Sequence, residues 1–546
     1  MKLFIEAKRC QYEINCLCRM FFPGNKLDIR EAFEETGDDY ILARLAGGPG
    51  RIGPEPRHIP AADAGVPPEC PAKDLDGGIL RAPHIPPDGD LPLEAGSGSA
   101  AAQVEVRIHG KTYAAEQAVT GVNPDEEAFH AECERVFGVL LYRILSEITQ
   151  VFPKWGILTG VRPVKLVYKY RRLGCSDAQI SAILTEQYLV SPEKVRLLFD
   201  TASHEYPVIQ RSRPDDYSLY ISIPFCPSRC LYCSFVSHSV EKAGKLMDEY
   251  LRLLCEEIKY TGELVSRIGL HLKTVYIGGG TPTTLRAEQL KTLTGALHAA
   301  FPVSSADEFT VEAGRPDTID REKLQVLLEA GVTRISINPQ TLNDHVLEAI
   351  GRRHTAREAL DSFQLAKEVG HRNINMDLIA GLSEDTLESF RDTVDRVVGL
   401  QPENITLHAL TVKRAATLAT DAAAVFEKRS DLNAQMLSYA YQAFRDGGYH
   451  PYYMYRQKGT VDNLENVGFC KPGFEGLYNI YIMDETHSIL ALGAGAVSKL
   501  RQPQGEGIER FFNFKFPYEY ISRFDEILAR KEKILEFYAR FGYEFR

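Results

Sequence analysis

Three cysteines in one short stretch, YISIPFCPSRCLYCSF, carry the strongest chemical signal in the chain. Cys226, Cys230 and Cys233 are spaced C-x3-C-x2-C, directly after an apolar run at 219–223 that reads as a strand. Thiolates are soft ligands that suit iron–sulfur clusters or zinc. A structural zinc site is closed by a fourth Cys or His, and His238 is the neighbour that could close it. A 4Fe–4S cube held by three cysteines instead leaves one iron free to take a small molecule. Three idle core cysteines are the bland alternative, and this spacing after a strand disfavours it. The remaining cysteines of the 11 are scattered, and no signal peptide precedes them. Free or metal-bound thiols and a cytoplasmic location are therefore expected.

Further polar groups recur where apolar runs end. Gly278, Gly279 and Gly280 follow TVYI, where missing side chains let backbone approach a ligand. Glu312 closes FTVE, Gln340 follows RISINP, and Asp377 sits inside NINMDLIAGL. Singly, each is an ordinary strand-end residue; together they predict a ring of polar groups around one cavity.

The elements that must position them have a clear rhythm. Strand-like runs at 219–223, 273–277, 308–312, 333–337, 374–379 and 404–409 alternate with helical segments. Such alternation predicts a parallel sheet with crossover helices, whose chemistry lies at the strand C-terminal ends. The expected fold is α/β: a partial (β/α)6 TIM-type barrel over 211–412, with an N-terminal α+β domain over 1–210 and a C-terminal α+β extension over 413–546. Residues 47–100 are rich in Gly and Pro and poor in large apolar residues. They are expected to be a disordered insertion. The strand-like VEVRIHG and the helical periodicity of 125–152 frame the rest of the N-terminal domain, and Ser176 and Ser191 are expected helix N-caps.

Net charge is −11, from 63 basic and 74 acidic residues. That excludes a cationic coat for bulk nucleic-acid binding. Lys154, Arg162, Lys165, Lys169, Arg171 and Arg172 form one basic cluster, read as a solvated helix face. No apolar run reaches the length of a membrane helix. Tyr452, Tyr453, Tyr455, Arg456, Gln457 and Lys458 suit a planar acidic ligand or an ordinary tyrosine-rich strand, and Glu465, Asn466 and Asn479 are candidates beside them or structural turn residues.

The C-x3-C-x2-C motif with an aromatic before its last cysteine resembles the signature of radical S-adenosylmethionine (SAM) enzymes. The stretches KWGILTGVRPVKL, VEAGRPDTI, RISINPQ, YYMYRQK, NLENVGF and LYNIYIMDE resemble the oxygen-independent coproporphyrinogen III oxidase family, in its HemZ-type branch. The resemblance implies a 4Fe–4S cluster on Cys226, Cys230 and Cys233. It implies SAM contacts from Tyr220, Gly278, Gly279, Gly280, Thr281, Glu312, Gln340, Arg352 and Asp377. GRRHT offers Arg353 beside Arg352. It further implies an oxidoreductase that decarboxylates porphyrinogen propionates, fed by an electron donor such as flavodoxin or ferredoxin, with a tetrapyrrole as the substrate.

Two departures from the founding enzymes stand beside the cluster. Phe235 occupies the place of their fourth cysteine, and Ser222 that of a histidine. A sister branch of haem chaperones carries a histidine motif where this chain reads LENVGF. A haem-transfer role, or radical chemistry on another substrate such as RNA or haem, stays open beside the oxidase reading.

Overall fold

The computed structural model describes residues 1–22, 27–34, 36–47, 57–58, 100–119, 127–233, 237–410, 430–457 and 464–545. The Gly- and Pro-rich insertion expected at 47–100 lies almost wholly outside them, as do Phe235 and Lys458. The chain divides into two compact units, one built on Met1–Phe199 and one on Asp200–Thr420, Arg429–Val461 and Glu465–Arg546.

The first unit is α+β. Its sheet is ordered Asp28–Arg30, Lys2–Ile5, Tyr40–Gly47, Ala100–Ile108, Lys111–Val119, Arg57–His58. The hairpin turn at His109 and Gly110 has positive φ at both residues (50° and 76°), the conformation that follows strand twist in a two-residue loop. Val104 and Val106 pack with Val136, Leu140 and Ile144 of helix Glu127–Thr149 in one core. Ser176 caps its helix through the Gln179 backbone N–H. Ser191 precedes helix Pro192–Ile209, but its buried hydroxyl finds no partner, so that expected side-chain cap is not made. Lys165, Lys169 and Arg172 are exposed.

The second unit holds the candidate site. Its first six strands are β1 (Asp216–Ile223), β2 (His271–Gly279), β3 (Glu308–Glu312), β4 (Arg334–Ser336), β5 (Ile374–Ala380) and β6 (Asn404–Ala409). They pair in sequence order and all in parallel. Helices Met247–Ile268, Ala287–Ala300, Arg321–Glu329, Ala356–Val369 and Leu387–Leu400 connect them. Both strand faces are buried, which is why these runs read as nearly continuous apolar stretches.

The C-terminal region does more than cover this barrel: it extends the same sheet at both edges. β7 (His450–Arg456) and β8 (Glu465–Cys470) form an antiparallel pair, and β8 joins β6. β9 (Ser488–Leu492) pairs in parallel with β1, and β10 (Val497–Arg501) and β11 (Ile508–Phe512) follow it. The sheet therefore has eleven strands, in the order β7-β8-β6-β5-β4-β3-β2-β1-β9-β10-β11. A buried ion pair fixes the β9 edge: Lys531 Nζ lies 2.8 Å from Glu257 Oε1 on helix Met247–Ile268. Tyr520, Asn513 and the Gly493 N–H donate to the same carboxylate, so its charge is satisfied inside the core.

Candidate functional site

The cysteine loop is pinned by backbone before any side chain acts. Phe225–Cys226 continues β1 and pairs with His238–Ser239. Gly280 N–H donates to Ile223 O and Thr281 N–H to Phe225 O, both at 2.7 Å. A Cβ on Gly280 would meet Phe225 O at 2.5 Å, so only glycine allows this approach. Thr281 Oγ1 lies 3.5 Å from Cys226 Sγ. Leu231 N–H donates to Ile350 O, which ties the middle of the loop to the segment after β4.

Cys226, Cys230 and Cys233 line a cavity of about 350 Å³ at the C-terminal ends of the parallel strands. Tyr220, Gly279, Gly280, Thr281, Glu312, Gln340, Arg352 and Asp377 line it too. Gly278 does not. It sits one residue back on β2, where a Cβ would meet the Glu312 carboxyl at 3.0 Å. Arg353 is exposed and pairs with Glu241, so of these two arginines it is Arg352 that lines the cavity. Ser222 donates to Ala494 O and does not line the cavity. His238 lies against Phe516 and is likewise not a lining residue.

The polar ring is held under tension and left incomplete. Gln340 has a positive φ of 69°, rare for a residue with a side chain. Its N–H donates to Asp377 O and its carbonyl accepts from Ile379 N–H, so pairing with β5 enforces the strain. Its side-chain Oε1 is buried without a partner. Arg352 donates from Nη1 to Asn338 O at 2.6 Å and from Nη2 to Tyr232 Oη at 3.2 Å, while Nε has no partner. Orphaned buried polar atoms are costly unless something fills them.

Charges in the ring are set by burial and by one another. Burial pushes the Glu312 carboxyl up to about 7; Tyr276 Oη, donating at 2.6 Å, pulls the other way. Burial also pushes on Asp377, but His408, Asn375 and Arg334 outweigh it and hold this carboxyl below its usual range. His408 Nε2 stands 3.8 Å from the Asp377 carboxylate, too far for a direct hydrogen bond.

Several lining residues were not singled out in the sequence. Arg315 is buried at 3% exposure and clamped by both carboxylate oxygens of Asp317. From there it reaches Cys230 Sγ at 3.5 Å and Ser228 Oγ at 3.2 Å. The signal was present as a cation just past a strand end, in VEAGRPDTI. Arg334 is 1% exposed, and its Nε and Nη2 have no partner. His408, Asn338 and Asn375 complete this group. Of the C-terminal candidates, Tyr453, Tyr455, Gln457, Asn466 and Asn479 line the cavity. Arg456 and Glu465 do not; they are buried beside each other across β7 and β8.

Comparison with known proteins gives this geometry a family. Residues 220–397 match the Radical SAM superfamily. The chain is 38% identical over 416 residues to the oxygen-independent coproporphyrinogen-III oxidase-like protein HemZ of Bacillus subtilis, covering 76% of this chain and 83% of that protein. The chain belongs to the HemZ-type, coproporphyrinogen oxidase-like family of radical SAM proteins. It is also 34% identical over 284 residues to the heme chaperone HemW of Bacillus subtilis, covering 51% of this chain and 70% of HemW. Among solved structures it is similar to coproporphyrinogen III oxidase (HemN) from Escherichia coli, with a TM-score of 0.47 and 24% identity over 59% of this chain and 71% of that one.

Radical SAM proteins use a 4Fe–4S cluster and SAM. The donor set of this HemZ-type chain fits both. Among the described residues nine cysteines are free, the trio among them; Cys175, against expectation, is disulfide-bonded. Among the described residues, the groups with three ligand atoms within 4.8 Å of one another are His450–Cys470–Glu475 and Asp215–Asp216–His271. The trio is not one of them. Sulfurs on one tetrahedral zinc lie about 3.8 Å apart for bonds of about 2.3 Å, so the trio spans more than a single ion. Gln340 and Arg352, which carry orphaned buried atoms, line the same cavity.

Proposed function

We propose that this protein is a radical SAM oxidoreductase of tetrapyrrole metabolism, acting on porphyrinogen propionates by oxygen-independent oxidative decarboxylation. In this reading Cys226, Cys230 and Cys233 hold the cluster. Tyr220, the Gly278–Thr281 turn, Glu312, Gln340, Arg352 and Asp377 hold SAM. When bound, the two supply one-electron chemistry and a 5′-deoxyadenosyl radical that takes a hydrogen atom from substrate.

The rest is the work of the chain's own residues. Glu312 offers a carboxyl acceptor and the glycine turn offers close backbone. Arg352 is a donor anchored by Asn338 and Tyr232. Tyr220, Tyr276 and Tyr478 stack beneath the ring, with centroids 4.4 to 6.2 Å apart, and keep water from its floor. Tyr453, Tyr455 and Gln457 face the cavity with aromatic surface and polar tips suited to a planar tetrapyrrole. Each propionate converted to a vinyl group releases CO2, a proton and two electrons. One electron leaves with the hydrogen atom and the other passes to an acceptor.

One observation carries the reading: the cysteine trio and the strand-end polar residues line a single cavity. The test is anaerobic turnover of the reconstituted protein with coproporphyrinogen III. Expected are SAM-dependent 5′-deoxyadenosine and a divinyl product. SAM cleavage without any decarboxylated product would overturn the substrate, and protein lacking iron and sulfide would overturn the class.

A haem-binding role has one observation in its favour. His408 places an imidazole at the cavity, and imidazole is a common axial ligand of haem iron. Haem titration separates the readings: a Soret shift at micromolar protein that His408→Ala abolishes supports haem binding.

A further inference from the structure

At the far end of the β7–β8 hairpin lies a second group of ligand-bearing side chains. The antiparallel register places His450, at the start of β7, directly opposite Cys470, at the end of β8. The turn that follows, Lys471 to Glu475, passes through Gly473 at a φ of 83° and returns Glu475 to the same point. Gly473 N–H donates to Glu475 Oε1 at 3.4 Å and holds that return. His450 Nε2 lies 3.4 Å from Cys470 Sγ and 3.0 Å from Glu475 Oε1.

That both contacts fall on one ring nitrogen decides what the group can do. A thiol–imidazole–carboxylate catalytic triad needs the thiol on one nitrogen and the carboxylate on the other. Here thiol and carboxylate converge on Nε2, so three ligand atoms surround one point, all within 4.8 Å of one another. For zinc bonds of about 2.0–2.3 Å, the edges of a tetrahedron run to about 3.4–3.6 Å. The imidazole is also pre-oriented: the His204 ring stacks on it at 3.7 Å and 15°. Cys470 is fully buried, while His450 and Glu475 keep 16% and 22% side-chain exposure, so an ion has a way in.

We propose that His450, Cys470 and Glu475 form a zinc site, separate from the cysteine trio, with its fourth position open to water. A mixed sulfur, nitrogen and oxygen set matches zinc's preferences, and a thiolate with a carboxylate neutralises its charge. The site clamps the base of the hairpin whose other end, Tyr455 and Gln457, lines the cavity about 20 Å along the strand. It does not depend on which substrate the cavity takes.

The test uses the full chain with its cluster reconstituted, dialysed against micromolar Zn2+, with metal content and zinc X-ray absorption measured. Expected is one zinc per chain beside the cluster iron, with a single sulfur at about 2.3 Å and nitrogen or oxygen at about 2.0–2.1 Å. His450→Gln and, independently, Glu475→Gln should each weaken zinc binding on the order of 100-fold, with cluster absorbance unchanged as the check on folding. Three outcomes would overturn the proposal: no zinc above background, zinc content unchanged in both variants, or a shell of several sulfurs, which places the ion on the cysteine trio.

Discussion

The cavity has two walls of different make. One comes from the strand ends of β1 to β5 and carries thiols, carboxylates and guanidinium groups locked by backbone. The other comes from β6, β7, β8 and helix Leu477–Asp484 and carries an imidazole, phenols and amides: His408, Tyr453, Tyr455, Gln457, Asn466 and Asn479. A wall of fixed charge suits a ligand that never changes. A wall of phenols and amides suits a broad, flat one held by surface and a few hydrogen bonds. On the proposed function, cofactors belong to the first wall and substrate to the second, and that assignment can be broken experimentally from either side.

The largest effect belongs to the trio. Cys230→Ala should drop iron and sulfide to background and cut SAM cleavage by at least about a thousandfold, while tetrapyrrole affinity changes less than about twofold. Loss of both would mean that the walls are not separable. Next is Arg352→Ala, which removes a buried, anchored cation and should raise the dissociation constant of SAM on the order of 100-fold, within the 2–5 kcal/mol typical of such truncations. Cluster content should persist. Arg352→Lys should recover little, because an ammonium cannot reach Asn338 O and Tyr232 Oη as the guanidinium fork does. A smaller effect is expected on the other wall. Gln457→Leu and Tyr455→Phe each remove about one hydrogen bond, near 1 kcal/mol. They should weaken tetrapyrrole binding about fivefold and leave SAM affinity alone, as read by paired titrations.

The two walls were also unequally legible in the sequence. The Gly279–Thr281 turn, Glu312 and Gln340 end or follow apolar strand runs, so topology alone predicts where they go: parallel strands gather their C-terminal ends. Glu312 and Gln340 could be placed this way before any contact was known. The second wall depends on antiparallel pairing between β8 and β6, and no periodicity announces that long-range pairing. Tyr453 and Tyr455 were legible as candidates for a planar ligand, with an ordinary tyrosine-rich strand as the alternative, but the pairing that brings them to the cavity was not. His408, inside an ordinary strand run, was missed. Arg315 and Arg334 were missed because a cation in a β-run reads as surface, whereas here burial around anions keeps both inside. The β9 edge was opaque for a similar reason: the Glu257–Lys531 pair joins residues far apart in the chain, and opposite charges at such separation carry no local signal.

The finest distinction between the walls is a proton. Glu312 is half-buried on the first wall with its carboxyl held up at about 7, against 4.5 for an ordinary glutamate. The sign follows from linkage. A carboxyl raised in the folded protein contributes stability that is full below about 4.5 and is lost as pH climbs through about 7, because its anion is then desolvated with only partial compensation from Tyr276. A cationic group arriving beside it supplies that compensation and favours the anion. Binding of SAM, whose sulfonium is such a cation, should therefore expel a fraction of a proton near pH 7 and none near pH 9, where Glu312 is already ionised. Asp377, held low, should contribute nothing in this window. Calorimetry in two buffers of different ionisation enthalpy reads the proton directly. Buffer-dependent heats at pH 7 that vanish in Glu312→Gln are expected. Buffer-independent heats in the unmodified protein would move the SAM cation away from Glu312 and leave the two walls distinguished by their shape alone.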